Sequence, residues 1–207
     1  MGLLRACASA VLLGAGTLRA TPGHLWTADH IFPDLRESFT RLRHSLGLER
    51  QPRLVIVTSS GELDLTHPAI VAGATILTTK AKASAIRRLL PSSCDVVEAE
   101  HGERVDMPEA LGLLRERGYG VVLTEGGPHL IGELMRHALL DEAFLTISPV
   151  VAGRANEERL GMVAGLELLP GHGRWSRILS VRRHADYLFL RYDLRSSASP
   201  YPLATSA

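Results

Sequence analysis

Between Arg53 and Leu140 the chain alternates short β-branched apolar runs with helical stretches, and few folds accept that alternation. Strands separated by helices close most simply as a parallel sheet with helices on its faces. The spacing predicts a buried strand at Arg53–Thr58, stopped by Ser59-Ser60-Gly61, and a second at residues 74–78. A helix over residues 80–90 follows and ends at Pro91, and a weaker strand covers residues 94–98. Residues 107–117 read as a helix with Asp106 as N-cap, Pro108 in its first turn and Gly118 at its end. A third strong strand, residues 120–124, runs into a helix over residues 128–140.

Past Asp141 the pattern changes. Residues 143–148, 176–182 and 187–192 read as strands with no long helix between them. The last two pair antiparallel around His184-Ala185-Asp186. The expected fold class is therefore α/β: a mixed, mostly parallel central sheet flanked by helices, with an antiparallel C-terminal hairpin. Residues 153–173 form a glycine-rich connection, and residues 196–207 a small-residue tail expected to be disordered. With 207 residues, one domain over residues 1–195 is the natural division.

Charge and cysteine usage narrow the classes of function. A net charge of +1 gives no electrostatic hold on nucleic acid or an anionic membrane. The basic residues at 41–43 and 87–88 sit among apolar ones and read as solvated helix faces. Cys7 and Cys94 lie far apart and outside any C-x-x-C pair, which argues against a disulfide framework or a zinc site and points to a reducing cytoplasm. No apolar run is long enough to span a bilayer. The start admits two readings. Arg5 followed by an apolar stretch resembles a secretory leader, and the same residues read as a helix end, a buried strand (residues 10–13) and a turn, Gly14-Ala15-Gly16-Thr17. The strand-and-turn pattern of the remaining chain needs the second.

The strongest chemical signal is residues 121–132, VVLTEGGPHLIG: a strand, two glycines, and a helix starting near Pro128. Glycines let a phosphate approach the backbone, and free N–H groups at a helix start favour an anion. A tight strand-to-helix turn explains the motif equally well on its own. Glu125 stands at the carboxyl end of a central strand, where α/β sheets place their ligands, and can hold hydroxyls or amino groups there. The Gly14–Thr17 turn offers N–H groups and a hydroxyl, but lacks the third glycine and the later acidic residue of a Rossmann fingerprint. Ser59-Ser60 and Thr78-Thr79-Lys80 end strands and offer hydroxyls and a cation for a ribose 2′-phosphate, with helix capping as the rival role. The nine histidines show no H-E-x-x-H or H-x-E…P-C-x-x-C spacing, and no G-x-S-x-G occurs.

Taken in order, residues 10–20 (AVLLGAGTLRA), 54–59 (LVIVTS), 124–130 (TEGGPHL), 140–142 (LDE) and 148–153 (SPVVAG) resemble the bacterial riboflavin-biosynthesis reductase domain, whose fold is that of dihydrofolate reductase. The likeness covers roughly residues 3 to 193 and is specific as a set. It implies an NADPH-dependent reductase that turns a ribosylaminopyrimidine phosphate into its ribitylamino form. Hydride would reach the first sugar carbon in its opened, imine-like form, with the protein holding the partners and excluding water. The resemblance implies cofactor contacts from Thr17, Ser59 and the turn and helix start Gly127, Pro128, His129, Leu130, Ile131, Gly132 and Glu133; Gly14, Gly16, Gly126, Thr79 and Lys80 join them from the turns and strand ends described above, and Thr21 from the position where the family has an acidic residue. It puts Glu125 and Leu25 against the substrate, with Glu125 as the catalytic candidate and no metal. It further implies a homodimer, with the antiparallel end of the sheet as interface.

Two departures stand out. The resemblance implies an acidic residue where Thr21 stands, and the segment to Pro33 is unlike the usual one; His24, Trp26, His30 and Phe32 there read as an ordinary packed loop, with a lid over the site as the alternative. It also implies a strand and a Ser-x-Asp-Gly-like turn ahead of the helix that Met1 enters, so an upstream start is expected, and its lack would expose strand edges. The alternatives are another reductase of this fold, acting on a pterin or related compound, and a non-catalytic nucleotide-binding remnant.

Overall fold

The computed structural model describes residues 1–100, 102–151, 161–168 and 173–195. The glycine-rich connection falls partly, and the tail wholly, outside the described residues. The chain divides into two compact units, Met1–Leu130 and Ile131–Ala207.

The first unit is built on five parallel strands: β1 (Ala10–Gly14), β2 (Arg53–Thr58), β3 (Ala74–Thr79), β4 (Asp95–Ala99) and β5 (Val122–Thr124). Their order across the sheet is β4-β3-β2-β1-β5. Strands buried on both faces read as continuous apolar runs rather than alternating ones, and β1 does so; β3, buried throughout, carries three threonines, of which Thr75 donates to Asp95 Oδ1 and Thr78 to Thr58 O. The N-terminal segment that resembles a leader is thus helix α1 (Gly2–Cys7) followed by β1, hydrogen-bonded to β2 on one side and β5 on the other. On one face Val11, Leu13, Leu54, Ile56, Ile76 and Val96 pack with Leu18 and Trp26 and with Ile70 and Ile86. Each such fully buried side chain contributes roughly 1.5–3 kcal/mol.

The helices follow from local signals. Helix α2 (Ala15–Ala20) starts directly after β1, and the short α3 (Ala28–Ile31) is capped by Thr27, whose hydroxyl accepts from His30 N. A single 3-10 turn (Pro33–Leu35) leads into α4 (Arg36–Ser45). His67 Nδ1 caps the one-turn α5 (Pro68–Val71), and α6 (Lys80–Arg87) returns from β3. Asp106 caps α7 (Met107–Glu116) as its position before Met107-Pro108 predicts. Helix α8 (Pro128–Arg136) crosses the boundary between the units.

One basic residue departs from the solvated face expected of it. Arg41, Arg87 and Arg88 are exposed, but Arg43 is buried. Its Nη1 donates to the carbonyls of Arg5, Ala6 and Ala8 and its Nε to that of Glu49. The guanidinium thereby satisfies carbonyls at the end of α1, a terminus whose partial negative charge favours a cation.

In the second unit β6 (Glu142–Ile147), β7 (Arg177–His184) and β8 (Tyr187–Asp193) form an antiparallel sheet ordered β6-β8-β7. The expected hairpin closes at His184–Tyr187 and contains a register shift near Ile178. This finish is a three-stranded sheet with its own hydrogen bonds, where the sequence alone had it completing one mixed sheet. Asp193 is buried and receives Arg177 and Arg195, and Arg191 grips Glu142 with two hydrogen bonds. Among the described residues no helix is long and apolar enough to cross a membrane.

Candidate active site

Parallel strands end on the same side, so the expected ligand-binding residues of the first unit line up along one sheet edge. Thr79 and Lys80 follow β3, Ser59 follows β2, Gly14–Thr17 follow β1, and Glu125–Leu130 follow β5. This is the carboxyl edge, where open α/β sheets bind ligands. A cavity of about 440 Å³ is lined by Ser9, Arg53, Gly73 and Tyr119, at or ahead of the strand starts, and also by Leu25, Trp26 and Thr27.

At one end of the carboxyl edge two turns stand side by side, because β1 and β5 are direct neighbours with Leu12 opposite Thr124; the strand that carries Glu125 is thus the outermost of the five, not the central one expected of it. Glu125 N donates to Leu12 O at 3.0 Å, extending that ladder by one residue. The Gly14–Thr17 segment is not a free turn: Gly14 is the N-cap and Ala15–Thr17 the first helical turn of α2. Gly126 sits tight, since a Cβ there would collide with the Leu130 side chain. Gly127 is open instead; a Cβ would lie 3.7 Å from Thr17 Oγ1, and one on Gly14 would meet nothing within 4 Å. The protein itself therefore leaves room for a methyl group between Thr17 and Gly127, in ordinary contact with the Thr17 hydroxyl.

Glu125 is not free in that edge. Arg5, on α1 and only 2% exposed, donates from Nε to Oε1 and from Nη2 to Oε2, both at 2.7 Å. The same guanidinium donates from Nη1 to Leu25 O at 3.1 Å and Thr27 O at 3.2 Å, and contacts His24 Nε2 at 3.0 Å. Arg5 thus joins both residues expected to face substrate, Glu125 through its carboxylate and Leu25 through its backbone. Each carboxylate oxygen keeps lone-pair capacity for a further donor. Around His24 the rings of Trp26 and His30 meet it edge-on, with centroids 4.9 and 4.6 Å away. Burial, then the charge of Arg5, hold the His24 imidazole below its ordinary value.

The remaining expected residues fall into three groups. Thr21 caps the end of α2, where its hydroxyl donates to Thr17 O at 2.8 Å and its carbonyl meets His67 Nε2. Ser59 Oγ accepts from Val105 N, and Thr79 closes β3 with its side chain shut inside, while Lys80 is exposed at the start of α6. Thr79 is the last residue of a strand buried on both faces and is itself 2% exposed. Pro128, His129 and Leu130 open α8 in the first unit. Ile131, Gly132 and Glu133 belong to the second, where Gly132 packs against the Ala164 backbone and Glu133 pairs with Arg136 and His137.

Arg5 and His24 were not among the residues singled out by sequence. Arg5 lies 120 positions from Glu125, and its isolated place in an apolar helix was the sole local signal.

The family described as the RibD C-terminal domain matches residues 1–168. Among solved structures, a pyrimidine reductase-like protein from Corynebacterium diphtheriae superposes with a TM-score of 0.71 at 17% identity, over 93% of this chain and 78% of that one. A diaminohydroxyphosphoribosylaminopyrimidine deaminase/5-amino-6-(5-phosphoribosylamino)uracil reductase from Thermotoga maritima gives 0.64 at 20% identity, over 93% of this chain and 47% of that one. The chain therefore spans about half the length of the Thermotoga protein. A riboflavin biosynthesis reductase from Saccharomyces gives 0.52 at 13% identity, over 91% and 89% of the two chains. No curated protein matches the sequence.

Proposed function

Because this chain belongs to the RibD C-terminal domain family, we propose that it is an NADPH-dependent reductase of riboflavin biosynthesis that converts 5-amino-6-(5-phosphoribosylamino)uracil to its ribitylamino product. The observation that carries this reading is the pairing of two glycine-bearing helix starts at neighbouring strand ends, with the Thr17–Gly127 space between them and Glu125 beside it. Glycines beside helix starts support a phosphate-bearing cofactor, which needs close backbone approach, although Glu125 N and Gly126 N are already bonded to Leu12 O and Thr124 Oγ1. Gly14, Gly16, Thr17 and the Gly126–Leu130 turn would hold NADPH, with Ser59 and Lys80 near the 2′-phosphate. When bound, it supplies the hydride that the opened sugar carbon accepts.

The chain's own residues do the positioning. Glu125 accepts from substrate hydroxyl or amino groups, and its orientation is set by the two-point grip of Arg5. Leu25, half-buried against the core, offers an apolar wall whose backbone is tied to the same guanidinium. Preorganisation of this kind lowers the barrier by holding the partners in a reactive geometry. Homodimer formation is part of the reading: Leu145, Ile147, Val181 and Leu188 share one face of the antiparallel sheet and are exposed, the composition expected of a self-associating face.

The test is a thermal-shift titration with NADPH and NADH, followed by single-turnover reduction of the synthetic pyrimidine substrate. A ligand at about 100 times its Kd adds roughly 2.7 kcal/mol, an easily seen rise in melting temperature. Stabilisation by NADPH over NADH, with turnover of the ribosylamino compound, supports the assignment. Stabilisation with turnover of a pterin instead would redirect it, and a sound melt unmoved by either cofactor would end it.

A further inference from the structure

An arginine side chain has five N–H donors, and Arg5 uses all of them. Nε meets Glu125 Oε1, Nη1 meets the carbonyls of Leu25 and Thr27, and Nη2 meets Glu125 Oε2 and His24 Nε2. A guanidinium can only donate, so the 3.0 Å contact requires His24 to be neutral, with Nε2 accepting and the proton on Nδ1. The ring is fixed in that role by the edge-on contacts of Trp26 and His30 at interplanar angles of 78° and 89°. Trp26 is itself buried in the core and tilted against His67.

We propose that His24 is a positioning residue of the substrate site: as a neutral imidazole it supplies the fifth acceptor to Arg5, and so fixes the guanidinium that aims the Glu125 carboxylate. This rests on the assignment of Glu125 to substrate binding made above. Protonation of His24 removes the acceptor and sets a cation against Arg5, which frees the guanidinium to swing and loosens the carboxylate. The charged and titratable groups facing the ring are Arg5 from α1, His30 from α3, His67 at the start of α5, and Glu125 after β5. Burial, Arg5, His30 and His67 all favour the neutral ring, and Glu125 alone opposes them. The Thr21–Pro33 segment, which departs from the family resemblance, is then the part of this chain that makes its substrate site pH-sensitive.

The experiment compares wild type with His24→Gln and His24→Ala. Glutamine keeps an acceptor oxygen that does not titrate, and alanine keeps none. The first readout needs no substrate: the imidazole of His24 is followed by NMR across pH in the intact protein. The Nδ1–H tautomer and a midpoint below that of a free histidine are expected. An ordinary midpoint or the Nε2–H tautomer overturns the proposal. The second readout is KM and kcat for the pyrimidine substrate against pH. Wild-type KM rises as pH falls through the His24 midpoint. His24→Ala raises KM about tenfold at neutral pH with kcat nearly unchanged, and His24→Gln restores KM and flattens the profile. A folded His24→Gln as impaired as His24→Ala, or a wild-type KM in His24→Ala, overturns the proposal. If wild type fails to reduce the pyrimidine, the functional assignment falls and the NMR readout still decides the role of His24. If His24→Ala fails to fold, His24→Gln and the titration decide it.

Discussion

Cutting the Arg5–Glu125 pair from each side should cost more than cutting both sides together. Arg5 is 2% exposed and Glu125 14%, and the two oxygens each receive a hydrogen bond at 2.7 Å. Breaking a buried pair by removing one partner costs about 3–5 kcal/mol, because the survivor is left charged and unpaired. Arg5→Met strands the carboxylate and also leaves the carbonyls of Leu25 and Thr27 without this donor, so it belongs at the upper end of that range. Glu125→Leu strands the guanidinium but leaves it three other acceptors, which places it lower. The double variant removes both charges and forfeits mainly the two carbonyl bonds and some shape. The expected coupling energy is therefore about 2–3 kcal/mol, the upper part of the range for residues in contact. Urea unfolding of the four proteins, with m-values checked for constancy, gives it directly. A coupling below about 0.5 kcal/mol would mean that the pair is not held as described, and the argument for a fixed Glu125 would go with it.

Further outcomes follow from the same geometry. Gly127→Ala places a methyl in the space beside Thr17 without crowding the protein, so stability should hold within about 0.5 kcal/mol while NADPH affinity falls at least about tenfold, read by calorimetric titration. Arg43→Ala leaves four carbonyls without their donor and should lose about 3–5 kcal/mol of stability in denaturant, with Arg43→Lys recovering only part. Acid should weaken the fold in two stages. His24 has a folded value below its unfolded one, so the unfolded chain binds more protons and stability falls as pH drops below about 6.5. Burial alone would raise Asp95, but hydrogen bonds from Thr75, Arg53 and Arg117 hold it low, and those from Arg195 do the same for Asp193. Stability from both carboxylates is complete above their unfolded value near about 3.9 and is lost as pH falls below it. Melting temperatures followed downward from neutral pH check both stages; Asp95→Asn should blunt the second and His24→Gln the first.

The strands were legible because burial on both sides of a parallel sheet favours short runs rich in β-branched and leucine side chains, as at Leu54–Val57 and Thr75–Leu77. The two glycine-bearing segments were legible because strand-to-helix turns leave a compositional mark. What stayed hidden depends on side chains that meet across the fold. Arg5 reads as the basic start of an apolar stretch until β1 and β5 are set beside each other. Arg43 reads as solvated because periodicity cannot report that a neighbouring helix ends beneath it. His24 and Trp26 read as loop filling, since nothing local says that Arg5 needs one more acceptor. At Thr79 a strand-end hydroxyl reads as exposed, and burial of β3 on both faces leaves the residue 2% exposed.

The bonds that Arg43 makes to α1 also set an order of assembly. A helix of six residues does not persist alone in water, so α1 depends on the packing of Ala6 against Ala28 and Phe39 and on what completes its carbonyl end. That partner comes from α4, up to 38 residues later in the chain, and must be docked before Arg5 has a fixed direction. The central strands can find one another without it. A refolding chain should thus reach a closed sheet first and acquire substrate recognition afterwards, in a step timed by α4. Pulse-labelled hydrogen exchange would reveal this as amide protection in α1 arriving together with that of α4, after β2 and β3. Simultaneous protection of α1 with the strands would show that the site and its sheet form in one event.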